Sequence, residues 1–315
     1  MQYCELGKTG LPVSRLCFGA LTIGPLQANL PTDKGAEVVR AALEKGVNFI
    51  DTAEYYRTYP YIREALKGWT SDVYIATKSY AYTREGMQES LNNALKELDR
   101  DHIDIFLLHE QESILTIRGH WEAMEYLLEA KQAGKVRAVG VSTHCVTAVT
   151  AAASIPEIDV IHPLINIDGV GIQEGTVSDM VNAIKTAHRA GKGLYGMKAL
   201  GGGNLLARYD EAVQFVLDIK ELSAVAMGMQ NQDEVEYNVR VFNGEMIPSD
   251  LASRMMLKPR KLHIDEWCQG CGACVQRCQA GALKVVDGKV KVNNELCRLC
   301  GYCGAVCPEF CIKVV

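Results

Sequence analysis

The chain has 315 residues, a hydrophobic share of 48% and a formal net charge of −5 at pH 7. That is enough for one large domain and a small one, and the mildly acidic balance gives no reason to expect nucleic acid or an anionic membrane as partner. No apolar run nears the ~20 residues needed to cross a bilayer, and Met1-Gln2-Tyr3-Cys4-Glu5 is unlike a signal peptide, so a cytoplasmic protein is expected.

A Gly-rich opening over 6–24 holds a first strand at 16–18. Helical spacing of Val38, Val39, Ala42 and Leu43 follows over 33–45, with Asp33 as cap and Gly46 as stop. Val47, Phe49 and Ile50 form a short buried strand that ends in Asp51. After a short helix at 61–66, the strand 73–77 runs into Lys78. A helix over 84–98, with Met87, Leu91, Ala94, Leu95 and Leu98 on one side, leads to the strand 103–108, which runs into His109.

The alternation continues. Trp121, Met124, Leu127 and Leu128 form a core stripe, Gly134 stops that helix, and a strand over 136–141 ends at Ser142. A helix at 146–153 leads to a sixth strand near Val160. Helices at 179–189, 211–219 and 233–241 then alternate with strands at 194–197 and 224–227. Eight strands, each followed by a helix, predict an α/β fold of the (β/α)8 TIM-barrel type, with function at the C-terminal strand ends. Asp51, Lys78 and His109 lie at such ends, and Tyr56 lies in the loop after the first of them.

Those residues read D-T-A-E-Y-Y, A-T-K and L-L-H, and they resemble the Asp, Tyr, Lys, His tetrad of the aldo-keto reductases, in which the tyrosine follows the aspartate by five positions. The resemblance covers about residues 6–238. It implies an enzyme that interconverts a small-molecule carbonyl and an alcohol with NADPH or NADH. Tyr56 would be the general acid, Lys78 would lower its pKa while Asp51 holds Lys78, and His109 would orient the carbonyl. Tyr80, Tyr82 and Trp121 are candidate pocket walls, with packing as the other role for Trp121.

G-K-V-R-A-V-G-V-S at 134–142 and G-L-Y-G-M-K-A-L-G-G-G at 193–203 are similar to stretches at which this family contacts its nicotinamide cofactor. The contacts implied are Gly19, Ser142, Thr143, His162, Asn166, Lys198, Gly201, Gly202, Gly203, Gly228 and Asn238. Backbone N–H groups of the glycine run would take phosphate. Thr143 and His162 depart from the asparagine and glutamine common in the family. Asp233, Glu234 and Glu236 follow strand eight where basic side chains often meet the 2′-phosphate of NADPH, which keeps NADH or a non-standard cofactor open.

Residues 246–262, with Pro248, Pro259 and Met255-Met256, read as a linker between a barrel over 1–245 and a tail over 263–315. A final barrel helix at 251–257 is the other reading. In the tail, Cys268, Cys271, Cys274 and Cys278 have C-x2-C-x2-C-x3-C spacing, which Cys297, Cys300, Cys303 and Cys307 repeat 29 positions later. Zinc is one explanation of such pairs. The doubled run resembles bacterial two-cluster ferredoxins, with Pro308 after the second run and Gln279 after the first. The resemblance implies a small α+β domain with two [4Fe–4S] clusters, one held by Cys268, Cys271, Cys274 and Cys307, the other by Cys297, Cys300, Cys303 and Cys278. Cys311 is expected to pack, as are Cys4, Cys17 and Cys145. Val275, Ala280, Leu283, Val285, Ala305, Val306 and Ile312 are the expected small core, and His102, His120, His144, His188 and His263 are expected on surfaces or loops.

Hydride transfer moves two electrons and each cluster moves one. Three organisations are compatible with that mismatch: a reductase with attached clusters, a barrel coupled to the clusters through a bound flavin, or an electron-transfer or docking subunit that serves a redox partner protein with a non-catalytic barrel.

Overall fold

The computed structural model describes residues 1–257 and 260–315. A hairpin of β1 (Tyr3–Glu5) and β2 (Pro12–Ser14) comes first. Leu6, Leu11 and Val13 of this region cluster with Phe49, Tyr74, Ile105 and Tyr195, side chains that point into a barrel of strands, so the hairpin plugs one end of that barrel.

The barrel is parallel and closed, with eight strands: β3 (Leu16–Gly19), β4 (Phe49–Asp51), β5 (Tyr74–Ser79), β6 (Ile103–Leu108), β7 (Val136–Thr143), β8 (Val160–Pro163), β9 (Gly193–Met197) and β10 (Ala224–Gly228), the last pairing with β3. Along β6, Ile105 and Leu107 join the inner cluster while Phe106 and Leu108 face the helices. Burial on both faces explains why these strands read as continuous apolar runs.

The surrounding helices are α1 (Thr32–Glu44), α2 (Tyr59–Leu66), α3 (Arg84–Leu98), α4 (Ile114–Gly119), α5 (Trp121–Gln132), α6 (Val146–Ala153), α7 (Val177–Arg189), α8 (Tyr209–Asp218) and α9 (Gln232–Asn243). Asp33 is not the cap of α1: Pro31 ends the incoming extended chain, and Asp33 falls in the first turn, where the helix dipole favours an acid. The stretch read as a linker carries a further helix, α10 (Ser249–Leu257), which packs on α9 with Leu251 buried. Arg254 on α10 forms ion pairs with Asp233 on α9 and with Asp250. Pro259 and the side chain of Met256 lie outside the described residues.

The C-terminal domain pairs β11 (Leu262–Ile264) with β14 (Ile312–Val314) and β12 (Leu283–Val286) with β13 (Lys289–Val292), and adds the short helices α11 (Ala273–Arg277) and α12 (Tyr302–Ala305). Its core holds Leu262, Leu283, Val290, Ile312 and Val314 among buried cysteines. Val285, Ala305 and Val306 are exposed, contrary to expectation. With only four residues, α12 turns Cys303 and Gly304 inward and leaves the next two outside, and the two-stranded β12–β13 ribbon belongs to no larger sheet.

This domain sits on the barrel mouth. The turn Gly201–Gly203 after β9 meets β14 so closely that a Cβ on Gly203 would lie 2.0 Å from the Val314 carbonyl oxygen, and one on Gly202 would lie 2.6 Å from Lys313 Cδ. Asn204 donates to the Ile312 carbonyl at 3.1 Å, and Leu206 of the barrel packs into the small core.

Candidate active site

Asp51 ends β4, Lys78 lies near the end of β5, His109 follows β6, and Tyr56 sits in the one-turn helix Glu54–Tyr56 after β4. The fold brings all four together. Lys78 Nζ donates to both Asp51 oxygens at 2.8 and 2.9 Å and to the Thr52 carbonyl at 2.7 Å, and it is 1% exposed. The same ammonium lies 5.1 Å from the centroid of the Tyr56 ring.

The expected lowering of the Tyr56 pKa is not what this geometry produces. Burial, and then the negative charges of Asp51 and Glu110, push the phenol well above 10. The Lys78 charge is answered by Asp51, so Tyr56 stays a protonated donor across the neutral range. His109 is held well below 6.5 by burial and by the charges of Lys78 and Lys198, and so is neutral at pH 7. Its ring stacks on Tyr80 at 4.2 Å and meets Tyr56 edge-on at 5.7 Å, and its buried Nδ1 has no hydrogen-bond partner among the described residues. Tyr80 donates to Glu110 at 2.5 Å. Of the other wall candidates, Tyr82 is largely exposed, and Trp121 packs against the outer core.

Sequence reasoning missed Tyr195. It points inward from β9, fully buried, and its hydroxyl donates to Asp51 Oδ1 at 2.9 Å. Its ring stacks on His162 at 3.7 Å, and its carbonyl accepts from His162 Nδ1 at 2.6 Å. Burial lowers the His162 pKa to about 4. The inward-pointing positions of β9, read against the acid that ends β4 across the barrel, were the available signal.

A cleft of about 1120 Å³, its open mouth included, starts at Asp51 and Tyr56. Gly19, Gly228 and Asn238 line it, as do His162, Lys198, Gly202 and Gly203, with Lys313 and Val314 supplied by the C-terminal domain. Ser142, Thr143, Asn166 and Gly201 lie off the cleft lining. Ser142 Oγ accepts from the Glu110 N–H, Thr143 Oγ1 from the Cys145 N–H, and the Asn166 amide closes on the backbone of Val170. The N–H groups of Gly201 and Gly203 donate to Lys198 and Leu200 carbonyls. Asn238 accepts from Tyr209 and donates to the Glu234 carbonyl. The acids after β10 carry partners: Asp233 has Arg254, and Glu236 has Lys45 and Arg240, which reduces the repulsion expected toward a 2′-phosphate. His144 lies in the loop after β7, as expected, and its Nε2 is 3.0 Å from Lys198 Nζ.

In the C-terminal domain, Cys268, Cys271, Cys274 and Cys307 line one small apolar cavity with Val290 and Ile312. That is the set implied for one cluster, and the donor type and enclosure fit it. Cys297 and Cys300 are close enough to Cys303 to act on its thiol electrostatically, which groups three of the second set. Cys311 does more than pack. It lines the first cavity, and its Sγ lies 3.4 Å from that of Cys307.

Residues 15–220 match the aldo/keto reductase family, and residues 260–308 match the 4Fe-4S dicluster domain. The chain belongs to the aldo/keto reductase family. This reductase is 29% identical to aldo-keto reductase YhdN of Bacillus subtilis over 183 residues, 53% of this chain and 54% of that one, so the alignment spans about half of that relative. It is 25% identical to L-galactose dehydrogenase of Arabidopsis thaliana over 276 residues, 74% of this chain and 86% of the relative. Among solved structures, the holo form of aldo-keto reductase AKR11C1 from Bacillus halodurans shares the fold with a TM-score of 0.65 at 22% identity, covering 81% of this chain and 95% of that one. The protein is thus an oxidoreductase of this family with a fused 4Fe-4S dicluster domain.

Proposed function

We propose that this reductase interconverts a small-molecule carbonyl and its alcohol, with Tyr56 as the proton donor in reduction. The observation that carries the reading is the Tyr56 phenol, kept protonated at neutral pH and set beside the buried Lys78–Asp51 pair in one cleft. NADH or NADPH, bound in that cleft, would supply or accept the hydride. As the carbonyl oxygen gains charge, Tyr56 O–H gives it a proton, and the phenolate left behind lies near the Lys78 ammonium. That attraction exists only once charge has developed, which is the kind of interaction that raises a rate. Neutral His109 keeps one ring N–H for the carbonyl oxygen. In oxidation the same groups run backwards, with the tyrosine taking the alcohol proton.

The domain over 263–315 would hold two [4Fe–4S] clusters, with Cys268, Cys271, Cys274 and Cys307 around one and Cys297, Cys300, Cys303 and Cys278 around the other, for exchange with a redox partner. The expected domain division places α10 and the chain up to 262 between that domain and the barrel over 1–245. The test uses anaerobically prepared protein with iron and sulfide counted. A Tyr56→Phe variant should lose carbonyl reduction and keep nucleotide binding; full turnover by that variant overturns the reading. Mixing with NADH and separately with NADPH, while following cluster absorption and spin signal, asks whether the clusters share the barrel's electrons. Reduction of the clusters, with a yellow chromophore released on denaturation, would favour the flavin-coupled organisation.

A further inference from the structure

Lys198 follows β9 in the left-handed region, at φ +59, a strained position for a residue with a side chain. It lines the cleft, yet among the described residues no carboxylate lies within 4.0 Å of its ammonium. Its partners are the imidazole of His144 at 3.0 Å and the face of Phe310 at 4.3 Å. Burial holds His144 well below 6.5, so it accepts a hydrogen bond and contributes no charge. Glu110 lies beyond it, 3.7 Å from the same imidazole nitrogen and already bonded to Tyr80.

A second ammonium approaches from the other domain. Lys313 of β14 is 5% exposed, lies 3.7 Å from the Phe310 ring centroid and lines the same cleft. Asp265, 3.3 Å away, answers Lys313 and makes no ion pair with Lys198. One phenyl ring therefore contacts two ammonium groups, from two domains, and Asp265 pairs with only one of them. After burial, the charge of Lys313 is the main reason that the Lys198 pKa falls to about 7. A desolvated cation without a counter-charge is costly, and a bound anion would remove that cost. Arg260, just before β11, lines the cleft as well.

We propose that Lys198 of the barrel and Lys313 of the iron–sulfur domain form one anion site across the domain seam, which takes a phosphate or carboxylate group of the molecule bound in the cleft. The second domain is then part of the reductase's ligand site. The proposal rests on the cleft being where the reacting molecules bind, but it is tested by binding and not by turnover, so its failure is separable from that of the Tyr56 assignment.

The experiment is calorimetric titration of the full chain, anaerobic and with clusters in place, using inorganic pyrophosphate and separately succinate as probes. The wild type should bind at least one of them at one site per chain. Lys198→Met and Lys313→Met should each weaken that binding about tenfold or more at unchanged iron content, and Lys198→Arg should restore most of it. If the bound probe competes with NADH or NADPH, the anion belongs to the cofactor; if it does not compete, the anion belongs to the substrate. Should Lys313→Met lose iron, Lys313→Arg and Lys198→Met decide the matter. Wild type that binds neither probe, or iron-replete Lys198→Met that binds as tightly as wild type, overturns the proposal.

Discussion

Asp51, 5% exposed, accepts two hydrogen bonds from Lys78 and one from Tyr195, all within 2.9 Å. Each donor can be tested apart. Tyr195→Phe removes one hydrogen bond to a charged group, of order 1.5–3 kcal/mol, so kcat should fall about 10- to 100-fold with KM little changed if Tyr195 positions the acid; an unchanged kcat would make it a packing residue. Lys78→Met leaves the Asp51 charge buried and unpaired, at about 3–5 kcal/mol in unfolding free energy. Adding Asp51→Asn should recover part of that loss in denaturant titrations. For pH, the sign follows from the two shifts: Tyr56, pushed above 10, loses its proton only above that value, and His109, held below 6.5, gains one only below that value. In a Lys198→Met variant, which lacks the ammonium whose pKa falls to about 7, the kcat for carbonyl reduction at saturating ligands should therefore be flat from about pH 6.5 to 10; a basic limb centred near pH 8 in that variant would show that a lowered tyrosine pKa operates after all.

At the scale of elements, the barrel strands and their helices place chemistry at strand ends, and the turn after β9 joins the domains. Gly203 has φ +86 and no room for a Cβ beneath Val314, whereas Gly10 has φ +69 and nothing within 4 Å of where a Cβ would be. Gly10→Ala should cost about 1 kcal/mol from backbone strain alone. Gly203→Ala should cost more than that and, in limited proteolysis, free the C-terminal domain from the barrel mouth. Equal effects of the two substitutions would mean that the seam yields easily. The glycine run is thus explained by docking: its positive φ angles and its missing side chains let β14 lie against it.

For the whole molecule, the consequence is mutual dependence. The small domain borrows Leu206 from the barrel for its core, and the barrel borrows Lys313 and Val314 for its cleft. Cluster ligation supplies much of the folding energy of such a small core. Stripping iron with a chelator should raise hydrogen exchange throughout 263–315 and around 198–206, while β4 to β6 stay protected. Protection at 198–206 that survives iron loss would show that the seam holds without the clusters.

Much of this was legible in the chain. The period of the apolar runs, the polar residues at their ends and the doubled cysteine spacing depend on local order, and local order is what a sequence displays. It therefore determined the barrel, the meeting of Asp51, Tyr56, Lys78 and His109, and the cysteine-rich tail. Charge balance in a buried site depends on which groups end up adjacent, and this only the tertiary structure decided. It buried the Tyr56 phenol near the Asp51 carboxylate, so that its pKa rises and does not fall, brought Tyr195 144 positions along the chain to the same carboxylate, and set the loop residue His144 against Lys198. It also laid Lys313 over Gly202 and beside Lys198, because two domains that read as separate pack through a turn whose side chains are absent.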